Sequence, residues 1–235
     1  RMAGASYLPA HRVVIFDEAH HLERVATESL GLRVGRTTVG WHLRRVHSRR
    51  SDRSLLARHG GPTAMLLWEE AQQHNEAFFA GLDERLRRAG NGEGAALHDV
   101  VLDEPLTPVL RALSVELGTA AIRTEKVDAR MELQARAQGL DGLCAVLRSL
   151  CTPNPAAAAP LVRWLEPSKH GAQLCGAPLD VSHALRENLF GGGVTAVLTS
   201  ATLGTGEDQS FRWLRRQLGL DDAATLRVGS PFDYD

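Results

Sequence analysis

Lysine is almost missing from this 235-residue chain. Of its 27 basic residues only Lys126 and Lys169 are lysines, and the rest are arginines. Codon bias in a GC-rich genome would give that composition. It is also compatible with phosphate binding, because a guanidinium keeps its charge and grips phosphate as a fork. Cysteine is scarce as well. Cys144, Cys151 and Cys175 are odd in number and too few for a disulfide framework, which points to a reducing, cytoplasmic setting. Their spacing matches no four-ligand zinc or iron–sulfur pattern, so they read as structural thiols. No run of about 18 apolar residues occurs, so no membrane span is expected. The N-terminal residues lack the basic-then-apolar pattern of a signal peptide. Two catalytic signatures are also missing: the phosphate loop G-x-x-x-x-G-K-[ST] and the nucleophile elbow G-x-S-x-G.

What is present is ordinary globular material, with 43% hydrophobic and 23% charged residues. That excludes a disordered chain and a coiled-coil rod. The formal net charge of −1 excludes a uniformly basic binder, yet it averages over a sharp asymmetry. Residues 33–58 hold eight arginines, at 33, 36, 44, 45, 49, 50, 53 and 58, opposed only by Asp52. Arg44, Arg45, Arg49 and Arg50 share part of a helical surface if this stretch is a helix. Such a cluster is either a solvated face paired with acids elsewhere or a patch that tracks phosphates.

Hydrophobic patterning divides the chain. Val13-Val14-Ile15-Phe16 reads as a buried strand of a parallel sheet, followed by a helix from His21 to about Leu30 that Gly31 stops. From about 32 to 158 only helical patterns are convincing. These are a basic helix over 37–50, a long helix from Pro62 to near Gly90, one from Pro105 stopped by Gly118, and one from about Glu125 to Leu150 with Val127, Met131, Leu140, Leu143, Leu147 and Leu150 facing inward. Strand patterns return after Thr152-Pro153-Asn154-Pro155 and its alanines: 161–166, 173–175, 194–198 and 225–228, with helices near 182–189 and 207–218. The expectation is an α/β domain, residues 1–31 and 159–235, interrupted by a helical insertion over 32–158 that packs as a bundle. Trp68, Trp164 and Trp213 fall in core-like patterns. Trp41, beside the basic cluster, suits base stacking and packing equally.

Two motifs follow apolar strands. Asp17-Glu18-Ala19-His20 sits beyond the carboxyl end of the first, where ligands bind in open α/β sheets. Adjacent carboxylates there can divide labour, one holding Mg²⁺ and the other orienting or deprotonating an attacking water. His20 and His21 make a poor metal pair, since neighbours on a helix point about 100° apart. Thr199-Ser200-Ala201-Thr202 follows the second strand with small hydroxyl groups suited to bonding a neighbouring loop.

Together the DEAH tetrad and the Ser-Ala-Thr motif resemble motifs II and III of superfamily-two helicases. The 183 positions from Asp17 to Ser200 exceed the gap of compact RNA helicases. They resemble the DinG/XPD branch of DNA helicases, where an arch domain is inserted. Local wording agrees at Ile15–Glu23, Pro178–Ser182, Leu198–Leu203 and Gly229–Tyr234. The resemblance implies a RecA-like P-loop NTPase fold, ATP and Mg²⁺ as cofactors, and 5′–3′ movement on single-stranded DNA in repair or replication. It implies that Asp17 binds Mg²⁺, that Glu18 is the catalytic base, and that His20 with Thr199, Ser200, Ala201 and Thr202 couples hydrolysis to DNA movement. The arch would wall the path of the strand. Arg44, Arg45, Arg49, Arg50 and Trp41 are the candidate DNA contacts, a placement that no family motif supports. The family's phosphate loop and any Fe–S cysteines would precede Arg1, and a second RecA-like domain would follow Asp235. The expectation is therefore a fragment, inactive alone, of a monomeric, nucleoid-associated helicase. A different class stays open: a non-catalytic helical module that docks DNA or protein on a degenerate motor.

Overall fold

Four apolar residues, Val13–Phe16, form strand β1, and Thr195–Leu198 form β6. The two pair in parallel, Val13 with Thr195 through Phe16 with Leu198. A parallel pair needs a long crossover, and here everything between them in sequence serves as one. The computed structural model describes residues 11–48, 54–90, 94–154, 156, 160–191, 193–203 and 211–229.

The chain divides into two compact units. One comprises the residues up to Leu30 and those from Pro178 onward; the other is Gly31–Ala177. In the outer unit, β1 leads through a 3-10 turn, Ala19–His21, into α1, Leu22–Leu30. Its small core gathers Ala26, Val181, Leu185, Leu214 and Leu218, from α1, α7 (Ser182–Leu185) and α8 (Arg212–Leu218). A π-helical turn, Arg186–Phe190, extends α7. Asp180 Oδ1 accepts from the Ser182 backbone at 2.7 Å as α7 begins, and the Ser182 hydroxyl together with that backbone bond holds the Asp180 carboxyl below its usual range.

Among the described residues the inner unit has five helices, α2 (Arg36–Val46), α3 (Leu55–His59), α4 (Pro62–Ala89), α5 (Leu106–Arg123) and α6 (Val127–Cys151). Their apolar faces share one core with Trp68, Phe79, Leu110, Leu113, Leu140 and Leu147 among its most buried members. The Trp68 indole N–H donates to the Leu43 carbonyl at 2.9 Å and so ties α4 to α2. Against the helices lies a four-stranded sheet in the order β2-β5-β4-β3, with β2 Leu32–Gly35, β3 Ala95–Ala96, β4 Leu161–Ser168 and β5 Gly171–Pro178. β2 is antiparallel to β5 and β3 to β4. The hairpin turn requires Gly171, at φ +102°, where a Cβ would also meet the Asp83 carboxylate at 2.8 Å. Asp83 accepts from the Ala172 backbone and, at 2.8 Å, from Arg36, joining α4, β5 and α2.

The α/β architecture with a largely helical insertion is the one expected. Several particulars differ. β2 and β3 lie in the stretch expected to be only helical, because two- and four-residue strands carry no period and are created by their partners. The β4–β5 hairpin, expected with the outer segments, belongs to the inner unit, since it pairs with β2 and β3. α5 runs past Gly118 to Arg123; one helical glycine costs about 1 kcal/mol, less than packing against α6 returns. Val127 and Met131 are exposed, lying on the first two turns of α6 before its first buried residue, Leu133. α2 ends at Val46, and Arg49 and Arg50 lie outside the described residues, as do 207–210. Residues 225–228 form no strand. Val13, Ile15 and Val197 are exposed, so β1 is not the buried strand its apolar run suggests. Trp213 is exposed and Trp164 half-buried, whereas Trp68 is core. Among the described residues no helix is long and apolar enough to cross a membrane.

One residue fixes how sheet and helices meet. Arg163 on β4 is buried, and its guanidinium donates to the carbonyls of Leu150 (2.9 Å), Leu97 (3.0 Å), His98 (2.8 Å) and Val100 (2.9 Å). A buried acceptor left without its donor costs about 1–3 kcal/mol. Arg163→Met should therefore lower unfolding stability by about 3 kcal/mol in urea titration. Arg24→Ala, which breaks an exposed pair with Glu28, should change it by less than about 1 kcal/mol.

Candidate functional site

The parallel ladder does not stop at the strand ends. The Thr199 N–H donates to the Phe16 carbonyl at 2.8 Å, and the Ala19 N–H donates to the Thr199 carbonyl at 3.0 Å. These two bonds lock the start of Thr199-Ser200-Ala201-Thr202 against Asp17-Glu18-Ala19-His20. Glu18 turns the chain between them in the left-handed region, at φ 49° and ψ 43°. That conformation is uncommon for a side chain of this size and recurs at functional sites. Ala19 is buried beneath the turn, while Asp17 and Glu18 are exposed.

Side chains complete the link. Asp17 Oδ1 accepts from the Thr199 hydroxyl at 3.0 Å and from the Glu18 backbone at 2.9 Å, which fixes the carboxylate's direction. Ser200 Oγ lies 2.8 Å from His20 Nδ1 and 3.1 Å from Glu18 Oε2. A carboxylate only accepts. One donor order satisfies all three groups: His20 Nδ1–H to Ser200 Oγ, and the Ser200 O–H to Glu18. Glu18 Oε2 is also 3.1 Å from Nδ1 itself. The Thr202 N–H donates to Ser200 Oγ at 3.2 Å, which tightens the loop. A shift of either strand end would break this chain of hydrogen bonds, so the two motifs form one mechanical element.

The sequence-based candidates thus separate. Asp17, Glu18, His20, Thr199, Ser200 and Thr202 come together at neighbouring strand ends; Ala201 lies in the same loop and supplies no side-chain bond. Arg44 and Arg45 belong to the inner unit, exposed at the end of α2. The Arg45 guanidinium stacks over the half-exposed Trp41 ring at 4.4 Å from its centroid, so a base stacking on that face competes with Arg45. Arg49 and Arg50 lie outside the described residues. Two other arginines of the basic stretch are already neutralised. Arg33 pairs with Glu166 at 2.9 Å, and Arg36 pairs with Asp83 at 2.8 Å and Glu76 at 3.4 Å. His42 is pushed below its ordinary pKa by burial and by Arg45 and Arg136. The left-handed Glu18 escaped the sequence reading, because nothing in the tetrad's letters reports backbone conformation.

No family model matches the chain. Curated proteins do. The chain is 28% identical over 231 residues to a probable ATP-dependent helicase, YpvA, of Bacillus subtilis, covering 97% of this chain and 33% of that protein. It is 27% identical over 269 residues to the 3′-5′ exonuclease DinG of Bacillus subtilis, covering 97% and 28%. A further match is the ATP-dependent DNA helicase DinG of Photobacterium profundum, 30% identical over 131 residues, covering 51% of this chain and 19% of that protein. The chain spans about a third or less of the length of these curated relatives. A solved XPD helicase structure aligns with 88% of this chain and 29% of its own, at 12% identity and a TM-score of 0.41.

The cysteines take no part in the site. All three are free and buried in the inner unit. Burial raises the thiols of Cys144 to about 11 and of Cys151 and Cys175 to about 12. At about pH 8 that leaves roughly 0.1% thiolate or less. A colorimetric disulfide reagent should find almost no reactive thiol in the native protein and all three cysteines after denaturation. Rapid native labelling would show that the α5–α6 core opens.

Proposed function

We propose that this chain carries part of the ATP-driven motor of a DinG/XPD-like DNA helicase, a translocase that moves 5′–3′ on single-stranded DNA in repair or replication. The outer unit is then the later part of a first RecA-like domain, and the inner unit an arch-like insertion. The observation that carries the reading is the hydrogen-bonded cluster of Asp17, Glu18, His20, Thr199 and Ser200 at the carboxyl ends of two parallel strands. The exposed Val13, Ile15 and Val197 suit strands that pack within a larger motor sheet.

The residues fit Mg²⁺ bound jointly with a nucleotide. Among the described residues no three His, Cys, Asp or Glu side chains are grouped to hold a metal by themselves. Asp17 offers one oriented carboxylate, and Mg²⁺ usually takes one or two of these together with phosphate oxygens and waters. Bound MgATP supplies a polarised γ-phosphate. Asp17 holds its side of that complex in place through the Thr199 hydroxyl. Glu18, exposed at the turn, orients a water and takes its proton. His20 and Ser200 transmit a change at Glu18 to the Ser200–Thr202 loop. Arg44, Arg45 and Arg58 contact the DNA backbone from the inner unit. A second RecA-like domain completes the site, and the working form is a monomer.

The docking-module reading draws on the same arginines and needs no hydrolysis. The test uses the longer protein, carrying a phosphate-binding loop. Glu18→Gln should leave ATP affinity within about twofold and lower DNA-stimulated ATP hydrolysis by about 10²-fold or more. Hydrolysis at the unaltered rate would overturn the assignment. Salt-dependent DNA binding by an unaltered protein that never hydrolyses ATP would favour the docking module.

A further inference from the structure

His21 follows the Asp17-Glu18-Ala19-His20 tetrad directly and has no part in the motor reading. Its side chain is exposed. Among the described residues its imidazole makes no hydrogen bond or ion pair. Its ring contact is with His20: the two centroids lie 3.8 Å apart and the planes tilt by 50°. Chain geometry does not provide that contact by default. Ala19–His21 form a 3-10 turn, on which successive side chains project about 120° apart. An exposed imidazole there can extend into water. Instead it folds back until the rings touch, closer than the roughly 4.5–7 Å usual for aromatic pairs.

The contact restrains the orientation of His20. That residue meets Ser200 Oγ at 2.8 Å and Glu18 Oε2 at 3.1 Å through a single atom, Nδ1. Rotation about its Cβ–Cγ bond would carry Nδ1 away and turn a carbon, Cδ2, toward the serine. The His20 side chain is 31% exposed, so water competes for the bond. A net hydrogen bond in that setting favours the bonded orientation by only about tenfold. A displacement at Glu18 or Ser200 is then partly lost in ring rotation. The His21 ring, at contact distance, crowds that rotation. Its backbone supplies the other half of the link. The His21 N–H donates to the Glu18 carbonyl at 3.0 Å, so the left-handed turn at Glu18 sets where the His21 ring stands. Any residue except proline keeps that bond. Side-chain substitution at 21 therefore tests the ring alone.

We infer that His21 is a positioning residue of the motor: its ring holds the His20 imidazole with Nδ1 toward Ser200 and Glu18, so that movement at Glu18 reaches the Ser200–Thr202 loop and is not absorbed by rotation of His20. This inference rests on the proposed coupling role of His20 and Ser200 and names the residue that makes their link stiff. His21 acts through His20 and contacts neither nucleotide nor DNA.

The test reads ATP hydrolysed per base pair opened, together with the KM for ATP, in the longer protein carrying a phosphate-binding loop. His21→Ala should raise the ratio about threefold and leave KM within about twofold, because it removes packing and no ligand contact. His21→Phe keeps an aromatic ring without nitrogen and should stay within about 1.5-fold of the unaltered protein. In a His20→Ala background, His21→Ala should change the ratio by less than about 1.5-fold, since no ring is left to orient. A ratio raised by His20→Ala and not by His21→Ala would overturn the inference and leave the coupling role of His20 standing. A Phe variant as impaired as the Ala variant would overturn it too, by giving His21 a polar task. So would a raised KM at an unchanged ratio, which would make His21 a nucleotide contact, or a full additive effect of His21→Ala in the His20→Ala background. If His20→Ala itself leaves the ratio unchanged, the coupling reading fails and the inference falls with it.

Discussion

The parallel pairing of β1 with β6 is the constraint on which the functional geometry depends. Two four-residue strands, with 178 residues between Phe16 and Thr195, meet in a single register. Two further backbone bonds beyond the strand ends then hold Thr199 between Phe16 and Ala19. With that backbone frame fixed, the side chains have little freedom. The Thr199 hydroxyl reaches Asp17, and Ser200 falls between His20 and Glu18. A slip of one residue would turn every side chain to the opposite face. The left-handed turn at Glu18 belongs to the same frame, because it returns the chain in time for Ala19 to bond Thr199.

The inner unit solves a different problem. It leaves and rejoins the outer chain at nearby points in the sequence of one sheet, since β2 follows α1 directly and pairs with β5, which precedes α7. Four strands therefore serve as its base. Arg163 secures that base to the helices through four main-chain oxygens, and Asp83 does so through Arg36 and Ala172. The helices add one continuous apolar core. An insertion built this way carries its own core, to which the end of α2 contributes Leu43 and Val46 and the start of α3 contributes Leu56.

Much of this was legible in the residues, and the exceptions share a cause. Val13–Phe16, Pro62 with Gly90, and the strand patterns at 161–166 and 173–175 announced themselves by pattern, turn residues and breakers. Asp17, Glu18 and the Ser-Ala-Thr loop were legible because motifs beyond strand ends have a chemical reason to be there. β2 and β3 were not, because their strand character comes from partners more than 60 residues away. The inner unit's true limits were hidden for the same reason: the hairpin's ownership is decided by pairing. Arg163 and Glu18's backbone left no sequence signal, since burial and a left-handed turn exist only after packing. Arg33 and Arg36 looked like members of a basic patch until Glu166 and Asp83 met them.

The central claim is that His20, Ser200 and Glu18 act as one unit joining hydrolysis to movement along DNA. A double-mutant cycle in the longer protein, reading ATP hydrolysed per base pair opened, tests it most directly. His20→Ala and Ser200→Ala should each raise that ratio, and the double variant should be no worse than the worse single one. Effects that simply multiply, or a ratio that neither variant changes, would contradict the account.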